Sequence, residues 1–276
     1  MNDSLFSRRH ALSFGASAFA ASAAPVTAHA APLKRIYDLT KPDDQLTAMV
    51  KVRGSLEAED CPHWYYGTIY GVLPGKTPIP LIELEGSEID WYARQPDGSY
   101  FAWSKTISYF RDVKTRQYIT SFNNPITGKV NTILPNTINV NAHYIYATNV
   151  FKRSDEQKEP STTPVIGDYL KWTESGDWAW LNADRPYPPG LPFGESQSAL
   201  FPLAELHDPN LRKVKTAFGN PTYISPWLFW MDMKDHPGHV VWAVQAKKMQ
   251  SVKEYPRAFL DLLEKNNPDK LTAKPA

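Results

Sequence analysis

The feature that most constrains this chain is a run of alternating segments between residues 49 and 152, separated by short turn signals. "MVKVRGSL" (49–56) sets Val50 and Val52 against Lys51 and Arg53. "HWYYGTIYGVL" (63–73) is aromatic and β-branched and stops at Pro74-Gly75. "IPLIELEGSEIDWYAR" (79–94) is long enough to hold a bulge at Gly86. Pro96-Asp97-Gly98 then turns the chain into "SYFAWSKTISYFRD" (99–112). Residues 116–125 end on Asn123-Asn124-Pro125, and residues 128–152 carry one or two more strands. Period-two alternation marks strands, and short polar turns between them favour antiparallel neighbours. A meander of this length tends to close on itself as an up-and-down barrel.

The second half is less regular. Residues 154–164 read as a polar, proline-bearing surface loop. A strand is expected around 177–183, followed by a long proline-rich loop. Residues 199–208 suit a strand or a short helix. Residues 219–233 and 238–249 read as two last strands facing each other across "KDHPG". Only residues 255–266 have a clear helical period, with Phe259, Leu262 and Leu263 on one face. The expected fold is therefore mainly β: an antiparallel up-and-down β-barrel with one C-terminal helix and long proline-rich loops.

The first 30 residues read as a leader. Arg8-Arg9 precede an apolar stretch of small residues from Ala11 to Ala24, and Ala28-His29-Ala30 is an A-x-A cleavage signal. The pair resembles a twin-arginine (Tat) signal, although Ala11 and Ser13 stand where Phe and Lys are usual. The expected division is a signal peptide over 1–30 and a single domain over 31–276, with export of the folded chain to the periplasm. Loss of Arg8, Arg9 and Asp3 takes the formal charge from +1 to 0. A neutral chain offers no electrostatic case for nucleic acid or an anionic membrane. Oligomeric state is not legible.

The single cysteine, Cys61, cannot form an internal disulfide. Buried packing, a reactive thiol and an intermolecular bridge are its three readings. On a strand, Cys61, His63 and Tyr65 share one face and Trp64 and Tyr66 the other. That spacing is too wide for a tight thiolate–imidazolium pair, so Cys61 reads as packing and His63 as the functional candidate, provided its face is the interior. Asn139, Asn141 and His143 share a face in "NVNAHYIYATN", an unusual row for a solvated surface. In "GDWAWLNADR", Trp178, Trp180, Asn182 and Asp184 have one parity and resemble a pocket wall with a polar end. Asp184 and Arg185 suit charge neutralisation or acid/base work, against the plainer reading of a loop staple. Tyr65 and Tyr109 complete the expected lining. No H-x-H, H-E-x-x-H or cysteine-rich spacing marks a metal site. A site assembled from separate strands, such as His63 with His143 and a carboxylate, stays open. No organic cofactor is expected, since the dinucleotide and phosphate-loop fingerprints are missing, and neither is there a nucleophile elbow.

The stretches W-x-N-x-D-R (Trp180 to Arg185) and P-G-H-x-V-W (Pro237 to Trp242), behind a twin-arginine leader, resemble an uncharacterised family of exported bacterial proteins known only as a domain of unknown function. The resemblance implies one domain over most of the chain and brings no chemistry. The strand pattern more loosely resembles lipocalin and calycin barrels, which speaks to architecture only.

The expected function is a periplasmic enzyme without organic cofactor, acting by acid/base chemistry on a small apolar or aromatic molecule as a lyase, isomerase or hydrolase. His63 and His143 would move protons, Asp184 and Arg185 would orient or neutralise charge, and Tyr65, Tyr109, Asn141, Trp178, Trp180 and Asn182 would bind the ligand. The alternative is a non-catalytic carrier of a hydrophobic molecule. A third reading is an envelope protein with a filled interior.

Overall fold

A computed structural model of the protein describes residues 33–147, 151–153, 170–186 and 194–273. All fall within one compact unit, Leu33–Ala276. Helix α1 (Pro42–Arg53) comes first, followed by strands β1 (Cys61–Val72), β2 (Ile79–Arg94) and β3 (Tyr100–Arg111). A small hairpin, β4 (Ser121–Asn123) and β5 (Val130–Thr132), precedes β6 (Asn136–Ile145) and β7 (Phe151–Arg153). Then come β8 (Leu170–Ser175), β9 (Trp178–Pro186), β10 (Gly194–Pro202), the short helix α2 (Leu203–His207), β11 (Ala217–Ser225), β12 (His239–Lys248) and helix α3 (Arg257–Asn266).

Ten strands form one antiparallel sheet in the order β7-β6-β3-β2-β1-β12-β11-β10-β9-β8. Every pair is a chain neighbour, β4 and β5 aside, except β1 with β12. No closed barrel is found: β7 and β8 are the two edges of the described sheet.

Residues 49–53 are not a strand but the end of α1. Pro42 opens the helix, Asp43 and Asp44 lie in its first turn, and Lys51 and Arg53 lie in its last. Each choice favours a helix in that direction. Lys51 spoils the helical period because it is fully buried. Its Nζ donates to the carbonyls of Leu206 and Asp208, at 2.8 and 2.6 Å, and so caps the end of α2. The only bulge in the β1–β2 ladder lies between Ile69 and Tyr70, not at Gly86. Gly86 instead makes room for Tyr65: a Cβ there would stand 2.4 Å from the Tyr65 ring. The ring crosses β2 at this point, so its hydroxyl reaches Ser108 Oγ at 2.7 Å.

The sheet has two covered faces. On the α1 face, one end is packed by α1 and α2 through Leu46, Val50, Val52, Tyr92, Leu181, Phe201 and Leu206. The other end is packed through Ile69, Ile82, Phe110, Phe122, Trp230 and Trp242. On the opposite face, α3 lays Phe259, Leu260 and Leu263 over Ile107 and Tyr109. Leu262, expected on that stripe, is half-buried beside it. Residues 219–233 split into β11 and a loop with a 3-10 turn at Phe229–Met231. The chain enters β12 just after Gly238, whose φ is 111° and where a Cβ would stand 2.3 Å from the Val72 carbonyl oxygen; both require glycine.

Candidate functional site

The register of the central strands sets polar residues side by side between the two apolar ends of the α1 face. Partners in an antiparallel ladder point to the same side. One row reads Lys248, His63, Glu88, Thr106 across β12, β1, β2 and β3, and the next reads Cys61, Asp90, Ser104. His63 is 6% exposed and Asp90 4%. Tyr65, Glu88, Thr106, Phe218, Val244 and Ala246 on this face keep part of their surface open. The face is packed at both ends and incompletely filled in the middle.

Arg53, the last residue of α1, projects into this stretch. Its Nη2 lies 4.0 Å from Glu88 and 3.9 Å from Asp90, and its Nη1 donates to Gln197 Oε1 at 2.6 Å. Gln197 is on β10, four strands away from β2. Four strand spacings are about 19 Å measured along a sheet. One guanidinium meets both, so the sheet curls around this site.

His63 Nδ1 lies 3.8 Å from Asp90 Oδ2, beyond hydrogen-bond range. His63 Nε2 and Asp90 Oδ2 are buried with no hydrogen-bond partner among the described residues. Phe218 meets the imidazole edge-on at 5.1 Å. Burial, followed by the charges of Lys248 and Arg53, holds His63 well below the usual histidine range. Burial, followed by the charge of Glu88, holds the Asp90 carboxyl well above the usual carboxylate range, with Arg53 pulling against it. The contact is thus between a neutral ring and a carboxyl biased toward its protonated form, so it is not an ion pair. Such a couple can accept a proton at one group and donate one from the other.

Lys248 is 5% exposed, and its Nζ donates to the carbonyls of Lys51, Val52 and Gly54 at 3.1, 2.8 and 2.8 Å. Burial pushes its pKa down to about 7, yet three carbonyl acceptors match the three donors of an ammonium. Cys61 is free and buried, and burial pushes its thiol up to about 12. That suits packing and disfavours a nucleophile.

The structure therefore brings together His63 and Tyr65 from the expected set and separates others from them. Tyr109 lies on the α3 face, against Tyr118 and Phe259, and its hydroxyl donates to Asn267 at 2.6 Å. Trp178, Trp180 and Asn182 also point away from the site. Ala179, Leu181 and Ala183 are the buried face of β9, and Trp178 is 48% exposed. Ala179, Leu181 and Ala183 belong to the core cluster that includes residues of α1 and α2. The register sets Asn141 opposite Ser104, His143 opposite Ala102, Asp184 opposite Ser196 and Arg185 opposite Glu195. The side chains of these four lie outside the described residues. His236, in the turn before β12, accepts through its carbonyl from Trp227 Nε1 at 2.9 Å. Among the described residues, no group of three or more His, Cys, Asp or Glu side chains is placed to hold a metal ion. No described helix is long and apolar enough to cross a membrane.

Arg53, Glu88, Asp90, Gln197 and Lys248 were not singled out from the sequence. A signal existed for Glu88 and Asp90, because two acids at i and i+2 of one strand share a face, although Glu83 and Glu85 make the same pattern on the other face. For Lys248, Gln197 and Arg53 no spacing pointed inward.

Fold and site together define an antiparallel β-sheet protein with an under-satisfied polar nest on a curled, covered face. The chain belongs to the family described as a protein of unknown function, DUF1838, whose model matches residues 58–275. His63, Glu88, Asp90 and Lys248 fall within that match, and Arg53 precedes it. No curated protein matches the chain.

Proposed function

We propose that the polar stretch of the α1 face is a small-molecule site, and that the protein is an enzyme moving protons on its ligand without an organic cofactor. His63 is the proton acceptor and Asp90 the donor, with Arg53 and Glu88 balancing charge beside them. Tyr65, Phe218 and Val244 offer apolar surface to an aromatic or aliphatic body. The observation that carries this reading is the pair of buried, unpartnered polar atoms, His63 Nε2 and Asp90 Oδ2, beside an incompletely filled face. Unpaired buried polar groups cost about 1–3 kcal/mol each, and a ligand that pairs with them recovers that cost. A lyase or isomerase step that removes a proton at one atom and returns one at another fits the couple best. Two further parts of the reading have their own support. Strand order and the reach of Arg53 from β2 to β10 support a barrel that closes between β7 and β8. The twin-arginine leader supports export of the folded chain to the periplasm.

The test is native mass spectrometry on protein purified from its own periplasm, followed by a thermal-shift screen of neutral aromatic and aliphatic carbonyl and hydroxyl compounds. The reading expects a co-purifying or stabilising compound whose conversion stops in His63→Gln and Asp90→Asn. A compound bound by wild type, bound more weakly by both variants and converted by none of the three would make the protein a carrier. Binding insensitive to both substitutions would place the ligand elsewhere and end the proposal.

A further inference from the structure

Lys51, Lys248 and Lys270 are the buried lysines among the described residues, and the first two both hold backbone carbonyls at a helix end. Lys51 caps α2, away from His63. Lys248 holds the carbonyls of Lys51, Val52 and Gly54, which bracket Arg53 on both sides. It is also the ladder partner of His63, on the same side of the sheet. Cross-strand partners have Cβ atoms about 5 Å apart. A lysine that only ended a helix could sit on any strand under α1.

We propose that Lys248 is the positioning residue of the site: it fixes the helix end that aims Arg53 at Glu88 and Asp90, and it keeps the adjacent His63 ring uncharged. The proposal rests on the reading of His63 and Asp90 as the working pair. The charged and titratable groups around His63 and Lys248 among the described residues are Arg53 on α1, Glu59 and Cys61 at the start of β1, Glu88 and Asp90 on β2, and Lys213 before β11. Lys213 is paired with Glu59 at 3.4 Å. Arg53 stands 4.0 Å from Glu88 and 3.9 Å from the Asp90 carboxyl. Lys248 gives its donors to backbone carbonyls and not to a carboxylate, so no ion pair cancels its charge beside its ladder partner His63. Its influence on Arg53 runs through backbone and its influence on His63 through space, and the two can be separated.

The experiment follows the His63 ring by NMR across a pH titration in the full chain, with thermal unfolding on the same samples. Lys248→Met removes charge and cap together. Lys248→Gln removes the charge and keeps two N–H donors for the carbonyls. Lys51→Met is the control: it removes a buried capping lysine of the same kind away from His63. Both Lys248 variants are expected to raise the His63 midpoint by about one pH unit or more. Lys51→Met is expected to lower the melting temperature and leave that midpoint alone. An unchanged midpoint in either Lys248 variant would reduce Lys248 to a helix cap and overturn the proposal. So would failure of both Lys248 variants to fold while Lys51→Met folds. Because the readout is a titration, it stands whether or not a substrate is ever found. A raised midpoint with no ligand response to His63→Gln would keep Lys248 in this role and remove the catalytic reading instead.

Discussion

Strand β2 carries a pair of acids on each face, Glu83 and Glu85 on one and Glu88 and Asp90 on the other, and they are treated differently. On the α3 face, Glu85 accepts from Trp64 Nε1 at 2.9 Å, from the Tyr118 hydroxyl at 2.6 Å and from Arg111. Arg111 also lies over the Tyr118 ring at 4.1 Å. Glu83 accepts from Tyr66 and faces Arg116 at 3.4 Å. On the α1 face, Asp90 has an oxygen with no hydrogen-bond partner among the described residues, and Arg53 stands 3.9 Å from it. The first arrangement is a staple and the second is poised. Burial alone does not separate the two, since Glu85 is 2% exposed and Asp90 4%. Hydrogen-bond completion does. A buried charge whose lone pairs are all used has nothing left for a ligand.

The largest effect is expected at Glu85. Glu85→Ala leaves Arg111, Trp64 and Tyr118 without their acceptor, and chemical denaturation should show a loss of about 3–5 kcal/mol. A loss below about 1 kcal/mol would mean that the α3-face network is no staple. Asp90→Asn should behave in the opposite way. The folded-state pKa of Asp90 is raised, so the unfolded chain ionises first and wild-type stability falls as pH rises from about 3.8 through the folded value. The variant escapes that loss. It should be more stable than wild type by up to about 1 kcal/mol at neutral pH, with the margin growing as pH rises. A clearly destabilised variant would move Asp90 into the staple class.

His63→Gln sharpens the same contrast through acid. The folded-state pKa of His63 lies below its ordinary 6.5, so the unfolded chain takes up the proton first. Stability from this residue is complete above about pH 6.5 and is lost as pH falls below it toward the folded value. The variant should therefore lose less stability than wild type between pH 6.5 and 5, read as the slope of melting temperature against pH. Identical slopes would count against a buried neutral His63. The smallest effect belongs to Arg257, which pairs with Asp261 at 2.5 Å on the exposed side of α3. Arg257→Ala should change stability by no more than about 0.5 kcal/mol. A larger value would show that ion pairing as such stabilises this protein, and hydrogen-bond completion would no longer be the dividing line.

The strands were legible because period-two alternation is a local property. Their register was not, since the bulge at Ile69/Tyr70 shifts the pairing by one residue and no spacing announces it. The identity of the inner face was legible only in part. On β1 the His63 and Tyr65 parity was recognised as one of two alternatives, and burial selects it. On β9 the parity of Trp178, Trp180 and Asn182 imitates a pocket wall, whereas the buried side is Ala179, Leu181 and Ala183. Helix α1 was missed although Pro42, Asp43, Asp44 and the basic last turn signalled it, because the alternation of Val50 and Val52 with two cations imitates a strand. The His63–Asp90 contact joins residues on neighbouring strands and depends on the register that the sequence withholds.

The pairing of β1 with β12 has a consequence for how the chain acquires its structure. The middle of the sheet is made by the two strands farthest apart in sequence, and its edges by strands from the middle of the chain. Each half, β1 to β7 and β8 to β12, consists of ladders between near neighbours that can form early. The seam that assembles the site must close the longest loop in the domain, which is entropically the most expensive contact and the one that slows folding. His63 and Lys248 face each other across that seam, so the candidate site comes into being only when the two halves meet.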